Sequence, residues 1–183
     1  MSESIQKVIS FNLQMKRKLA IAIADRCRED SPVDELFKNA DIKMAPWISE
    51  RSDDNKKVKY VGQPYWTKAA MEHYKKNGIK GLRHEHAVPQ KIIVEQLKIS
   101  EKTEATIFSI LDNLVHAVIV TQDEATKLDQ KWKTTMPLDI KISNEVSFIF
   151  ARYIDLKMAI YYVENGNPKK LVKKPVNVLS SYL

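Results

Sequence analysis

Apolar residues recur along this chain with two periods, and the changes from one to the other outline its elements. Ile5, Val8, Ile9, Leu13, Leu19 and Ile23 fall near a 3.6-residue spacing, which predicts one long helix over residues 4–28 with "KRK" (16–18) mostly on its wet side. "SPVDELF" (31–37) restarts a helix: Ser31 caps it, Pro32 sits in its first turn, and Asp34 and Glu35 favour its positive end. The irregular charged stretch at 48–64 predicts an exposed loop. A helix is then expected from Trp66 to Asn77, closed by Gly78, since glycine accepts the left-handed closing conformation.

Beyond residue 80 the pattern alternates between strand and helix. "GLRHEH" (81–86) fits a short strand, and "VPQKIIVEQL" (88–97) a helix with Pro89 in its first turn. Ser100 is placed to cap a further helix running through Leu114. "HAVIVT" (116–121) is β-branched and apolar, the clearest strand in the chain. Thr121 and Glu124 have capping-box spacing at the head of "QDEATKLDQKW" (122–132). A last helix is expected over Ser143–Lys157, with Val146, Ile149, Phe150 and Tyr153 on one face. "MAIYYVENGNPKKLV" (158–172) predicts a closing hairpin that turns at "NGNP".

These elements predict an α+β fold, mainly helical with a small amount of sheet. The length of 183 residues suits a single domain, 1–183. Within it, residues 1–78 form a helical N-terminal part, 79–132 a central strand–helix unit, and 133–183 a C-terminal helix and hairpin.

Charge and cysteine content narrow the functional classes. Lys plus Arg number 30 against 23 Asp plus Glu, a formal net charge of +7, which favours a polyanionic partner. Cys27 stands by itself, so neither an intramolecular disulfide nor a cysteine-based zinc knuckle can form, and a reducing compartment is expected. The apolar run "LAIAIA" (19–24) is too short for a signal core and far short of the ~20 residues of a membrane span. The expected location is cytoplasmic, with no membrane partner.

Candidate chemistry gathers at "RHEHAVP" (83–89), where two of the four histidines flank Glu85. In an unbroken strand His84 and His86 share a face and would make a transition-metal pair, while Glu85 points away. If the strand breaks before Pro89, Glu85 and His86 converge instead. Asp123 and Glu124 lie in a first helical turn, where acids are favoured with or without a metal. His116 opens an apolar strand and suits a hydrogen-bonded core position as well as a site. Trp47, Trp66 and Trp132 offer base stacking or simply core volume.

Taken in order, Glu85, His86, Ala87, Val88 and Pro89, then "NLVHAVIVTQDEATKLD" (113–129), resemble the HNH, or His-Me finger, nucleases over about residues 81–130. "YWTKAA" and "RYIDLKMAIYY" are more weakly similar to restriction-type members. The resemblance implies a ββα-metal-like finger, with a strand near 82–86, a helical insertion, a strand near 116–121 and a helix near 122–131. It implies His86 as the base that activates water, with Asn113 or His116 orienting it. It further implies Glu85, with Asp123 or Glu124, as ligands of a divalent metal, Mg²⁺ or Mn²⁺. Arg83, Lys80 and Lys91 would contact phosphate. Where the family's helix presents His or Asn, this chain has Ala125 and Thr126. The expected function is metal-dependent DNA cleavage, with DNA and a homodimer mate as partners. The alternative is an HNH-like module that binds nucleic acid or a protein without cutting.

Overall fold

The structure is a computed structural model that describes residues 14, 16–25, 27, 60, 63–137, 146–163 and 173–175. It shows an α+β fold, mostly helical, around a small mixed sheet. Residues 16–25 form helix α1, consistent with part of the predicted long helix. The "SPVDELF" helix, nearly all of the 48–64 loop, Trp47 and the "NGNP" turn lie outside the described residues.

The first strand lies where the apolar pattern predicts a helix. Tyr65–Thr67 form β1, and helix α2 (Lys68–Asn77) begins only after it, so Trp66 is a strand residue. The reason is non-local: β1 pairs in parallel with β3 (Ala117–Thr121) and antiparallel with β4 (Ile160–Tyr162). Thr67 then caps α2, its hydroxyl accepting from the Ala70 N–H at 3.1 Å.

Strand β2 (Leu82–His86) pairs antiparallel with β3, and β4 pairs antiparallel with β5 (Lys173–Pro175), which lies just past the 158–172 stretch expected to form a hairpin. The sheet order is β2-β3-β1-β4-β5, which leaves β2 at one edge. Strands from all three predicted parts of the chain thus share one sheet, with the N-terminal part supplying β1 between β3 and β4.

Between β2 and β3 run helices α3 (Gln90–Ile99) and α4 (Glu104–Leu114). Ser100 closes α3 rather than opening α4: its N–H donates to the Gln96 carbonyl at 3.1 Å. Thr103 caps α4 instead, accepting from the Thr106 N–H at 3.2 Å. The Lys102 ammonium covers the exposed carbonyls at the end of α3, donating to Leu97, to Lys98 at 2.8 Å and to Ser100 at 2.7 Å. Helix α5 (Gln122–Trp132) follows β3 directly and packs against both β2 and β3. Among the described residues of the expected last helix, the chain forms two short pieces, α6 (Val146–Ile149) and α7 (Ala151–Asp155). They are offset at Phe150, whose ring meets Tyr65 edge-on at 4.9 Å.

Helices cover both faces of the sheet. On one, Trp66, Leu82 and Ile119 pack with Ala70 and Met71 of α2. On the other, Val118 and Val120 join Leu19 and Ile23 of α1, Ile93 of α3, Leu111 of α4 and Leu128 of α5. Among the described residues, no helix is long and apolar enough to cross a membrane.

Candidate functional site

Strand β2 is regular through His86. Its register sets Leu82 opposite Thr121, His84 opposite Ile119 and His86 opposite Ala117, with Arg83 opposite Val120 and Glu85 opposite Val118. The pairing even extends beyond the strand, since the Ala87 N–H donates to the His116 carbonyl at 2.8 Å. The strand therefore does not break between Glu85 and His86, and alternation turns their side chains to opposite faces. His84 and His86 lie on the face shared with Ile119. Glu85 lies on the face where α5 packs.

Around Glu85 the arrangement is electrostatically mixed. Burial holds its carboxyl above the usual carboxylate range and the nearby Asp129 pushes the same way, while Arg152 and Arg83 oppose them. Arg152 opens the "RYIDLKMAIYY" stretch but is not among the expected site residues. It is 3% exposed, yet its guanidinium is well supplied with acceptors. It donates to the Ala87 carbonyl at 3.2 Å, to the Trp132 carbonyl at 2.9 Å and to the His86 carbonyl. One side chain from α7 thus grips the end of β2 and the end of α5 together. The Tyr153 hydroxyl also donates to the His86 carbonyl, at 3.4 Å, and burial first of all raises its phenol well above the ordinary value. The sequence did hold a signal for Arg152: it is the single charge within the apolar run "FIFARY".

Helix α5 enters through the predicted capping box. The Thr121 hydroxyl accepts from the Glu124 N–H at 3.2 Å, and Glu124 Oε2 accepts from the Thr121 N–H at 2.9 Å. The same oxygen accepts from the Thr121 hydroxyl at 3.1 Å and from the Thr67 hydroxyl at 2.7 Å. Glu124 therefore fastens the head of α5 to the ends of β3 and β1. Asp123 is exposed beside it. Ala125 is 4% exposed and packs into the core, while the Thr126 hydroxyl donates to the Gln122 carbonyl at 3.0 Å.

His116 and Asn113 belong to a different neighbourhood, at the end of α4. The Asn113 amide donates to the Ser109 hydroxyl at 3.3 Å. The His116 ring stands edge-on to Tyr65 at 5.9 Å. Burial and the Lys16 ammonium push its pKa down to about 4, against smaller upward pulls from Asp112 and from hydrogen bonds to the Asn113 and Asp112 backbone. Lys16 itself is 7% exposed and pairs with Asp112 at 3.0 Å, docking α1 onto α4. His116 is thus a neutral histidine at a core edge, on the Tyr65 side of the sheet and not on the His84–His86 face.

The three cations expected on phosphate separate. Lys80 and Arg83 lie at the start of β2, and the Arg83 guanidinium donates to the Gln122 side chain of α5. Lys91 lies beyond the other end of the five-residue strand, about 16 Å along it, and pairs with Glu95 at 3.9 Å. Among the described residues, no group of three or more His, Cys, Asp or Glu side chains is placed to hold a metal ion. No protein-family model, curated protein or solved structure matches the chain.

Proposed function

We propose that the chain is a divergent HNH-type module that engages DNA through the phosphate backbone and does so without a cleavage metal. The scaffold reading is supported by the antiparallel β2–β3 pair, the "EHAVP" segment that closes β2, and a capped helix laid against both strands. The basic balance of +7 supports a polyanionic partner.

What α5 turns toward β2 carries the rest of the proposal. A hard divalent cation needs several oxygens converging on it. Glu85 and the nearby Asp129 of α5 offer two carboxylates here, and among the described residues no group of three or more His, Cys, Asp or Glu side chains is placed to hold a metal ion. Glu124 Oε2 already accepts from three donors, Ala125 is packed into the core, and Thr126 bonds its own helix. His86, the expected base, lies across the strand. This donor set does not fit a Mg²⁺ or Mn²⁺ centre.

A second reading, metal-dependent cleavage, is favoured by one observation: Glu85 faces the helix that would supply its co-ligand. One experiment separates the two. Labelled duplex DNA is titrated by fluorescence anisotropy with and without EDTA, and supercoiled plasmid is incubated with protein and Mg²⁺ or Mn²⁺. The expected result is salt-dependent binding unchanged by EDTA, with the plasmid left whole. Plasmid nicked by the native protein and spared by His86→Ala would establish the nuclease reading instead. No salt-dependent binding at all would leave a protein-interaction domain.

A further inference from the structure

The turn from α2 into β2 carries a group of exposed cations, three lysines with no ion-pair mate among the described residues and Arg83, which lies near Glu85. Residues 73–83 contain Lys75, Lys76, Lys80 and Arg83 and no Asp or Glu. All four cations are exposed. Four of the described lysines elsewhere sit in ion pairs: Lys16 with Asp112 at 3.0 Å, Lys68 with Glu72 at 4.0 Å, Lys91 with Glu95 at 3.9 Å and Lys131 with Asp155 at 2.7 Å. Lys75, Lys76 and Lys80 form no ion pair with a described residue. Helix-end electrostatics accounts for Lys75 and Lys76, which fall in the last turn of α2. It does not account for Lys80 or Arg83.

The turn is also held firmly. His73 Nε2 meets the Lys80 carbonyl at 2.6 Å, and the Leu82 N–H donates to the Ile79 carbonyl at 3.2 Å. Gly81, at φ 82°, fits so closely beneath His73 that a Cβ there would come within 3.2 Å of the ring. The Gln122 N–H donates to the Gly81 carbonyl at 3.0 Å, and its side chain holds Arg83. The cations are therefore presented on a fixed loop, anchored to the head of α5. The acid that α5 contributes nearby, Asp123, is exposed in its first turn.

We infer that this α2–β2 turn is the surface that tracks a nucleic-acid duplex along its phosphates. The inference rests on the DNA-binding reading above. Backbone tracking is favoured over base stacking because the described tryptophans are engaged: Trp66 is fully buried, and the Trp132 indole donates to Asp155 at 2.7 Å beneath the Lys131 ammonium. A duplex presents regular phosphates to such a loop whatever its sequence, and binding releases counterions.

The test compares two doubly neutralised proteins of equal net charge. Lys76→Gln/Lys80→Gln removes charge from the turn, and Lys98→Gln/Lys133→Gln removes the same charge from exposed positions on α3 and just after α5. Each is titrated with a labelled mixed-sequence duplex at several salt concentrations. The turn variant should bind at least about tenfold more weakly at low salt, and its log–log salt slope should be shallower by about 2. The control should stay within about twofold of the native protein. Equal weakening in both variants would mean diffuse electrostatics and overturn the inference, as would an unchanged turn variant. Native protein that fails to bind brings down the DNA-binding reading itself, and the inference with it.

Discussion

At the scale of single residues, His116 is where burial has the clearest measurable consequence. Its pKa in the fold is about 4, against 6.5 for an ordinary histidine, and the first cause is desolvation, followed by the Lys16 ammonium. The folded state therefore keeps the ring neutral, while the unfolded chain takes up a proton as pH falls below about 6.5. Stability from this group is complete above that pH, is lost as pH drops toward 4, and then levels off. The loss should reach about 3 kcal/mol at pH 4. Denaturant unfolding across this range checks it. His116→Leu should lower stability near neutrality, where its backbone hydrogen bonds are lost, and should flatten the acid decline relative to the native protein. Parallel decline in both proteins would assign the acid sensitivity to the carboxylates.

At the scale of elements, the head of α5 is held by a carboxylate acting as a cap. Three donors converge on Glu124 Oε2, from Thr121 and from Thr67 on β1. Glu124→Ala should cost about 2 kcal/mol by denaturant unfolding, and the cost should be the same with or without EDTA. A destabilisation that appears only when divalent metal is present would return Glu124 to the ligand role. This cap was legible in the sequence because it is local: Thr121 and Glu124 are three residues apart, and the β-branched run before them marks β3. The same locality explains β2 and α3. Strand β1 was not legible. Its three residues satisfy no period of their own and are extended because β3 and β4 pair with them on either side. The break at Phe150 was hidden for a similar reason, since its ring is engaged by Tyr65, far away in the chain.

At the scale of the whole molecule, the candidate site is legible only in part, because what it presents depends on which face each side chain takes. "RHEHAVP" identifies the residues, whereas the register with β3 decides that Glu85 faces α5 and the histidines face away. The partner that completes the Glu85 side, Arg152, arrives from more than sixty positions later and ties three segments together through the carbonyls of His86, Ala87 and Trp132. A buried guanidinium is costly to desolvate, and here its cost is offset by those acceptors and by the neighbouring carboxylate. Arg152→Met would remove one donor from each of three carbonyls and leave Glu85 with Arg83 as the weaker of its two opposing cations. The expected loss is about 3–5 kcal/mol by equilibrium denaturation. Arg152→Lys should recover part of that loss at most, because a single ammonium lacks the planar fork that spans the ends of β2 and α5. A loss under about 1 kcal/mol for the methionine variant would mean that the end of β2 is held by sheet pairing alone. Arg152 would then be a passenger of the core, and the geometry of the "EHAVP" turn would owe nothing to it.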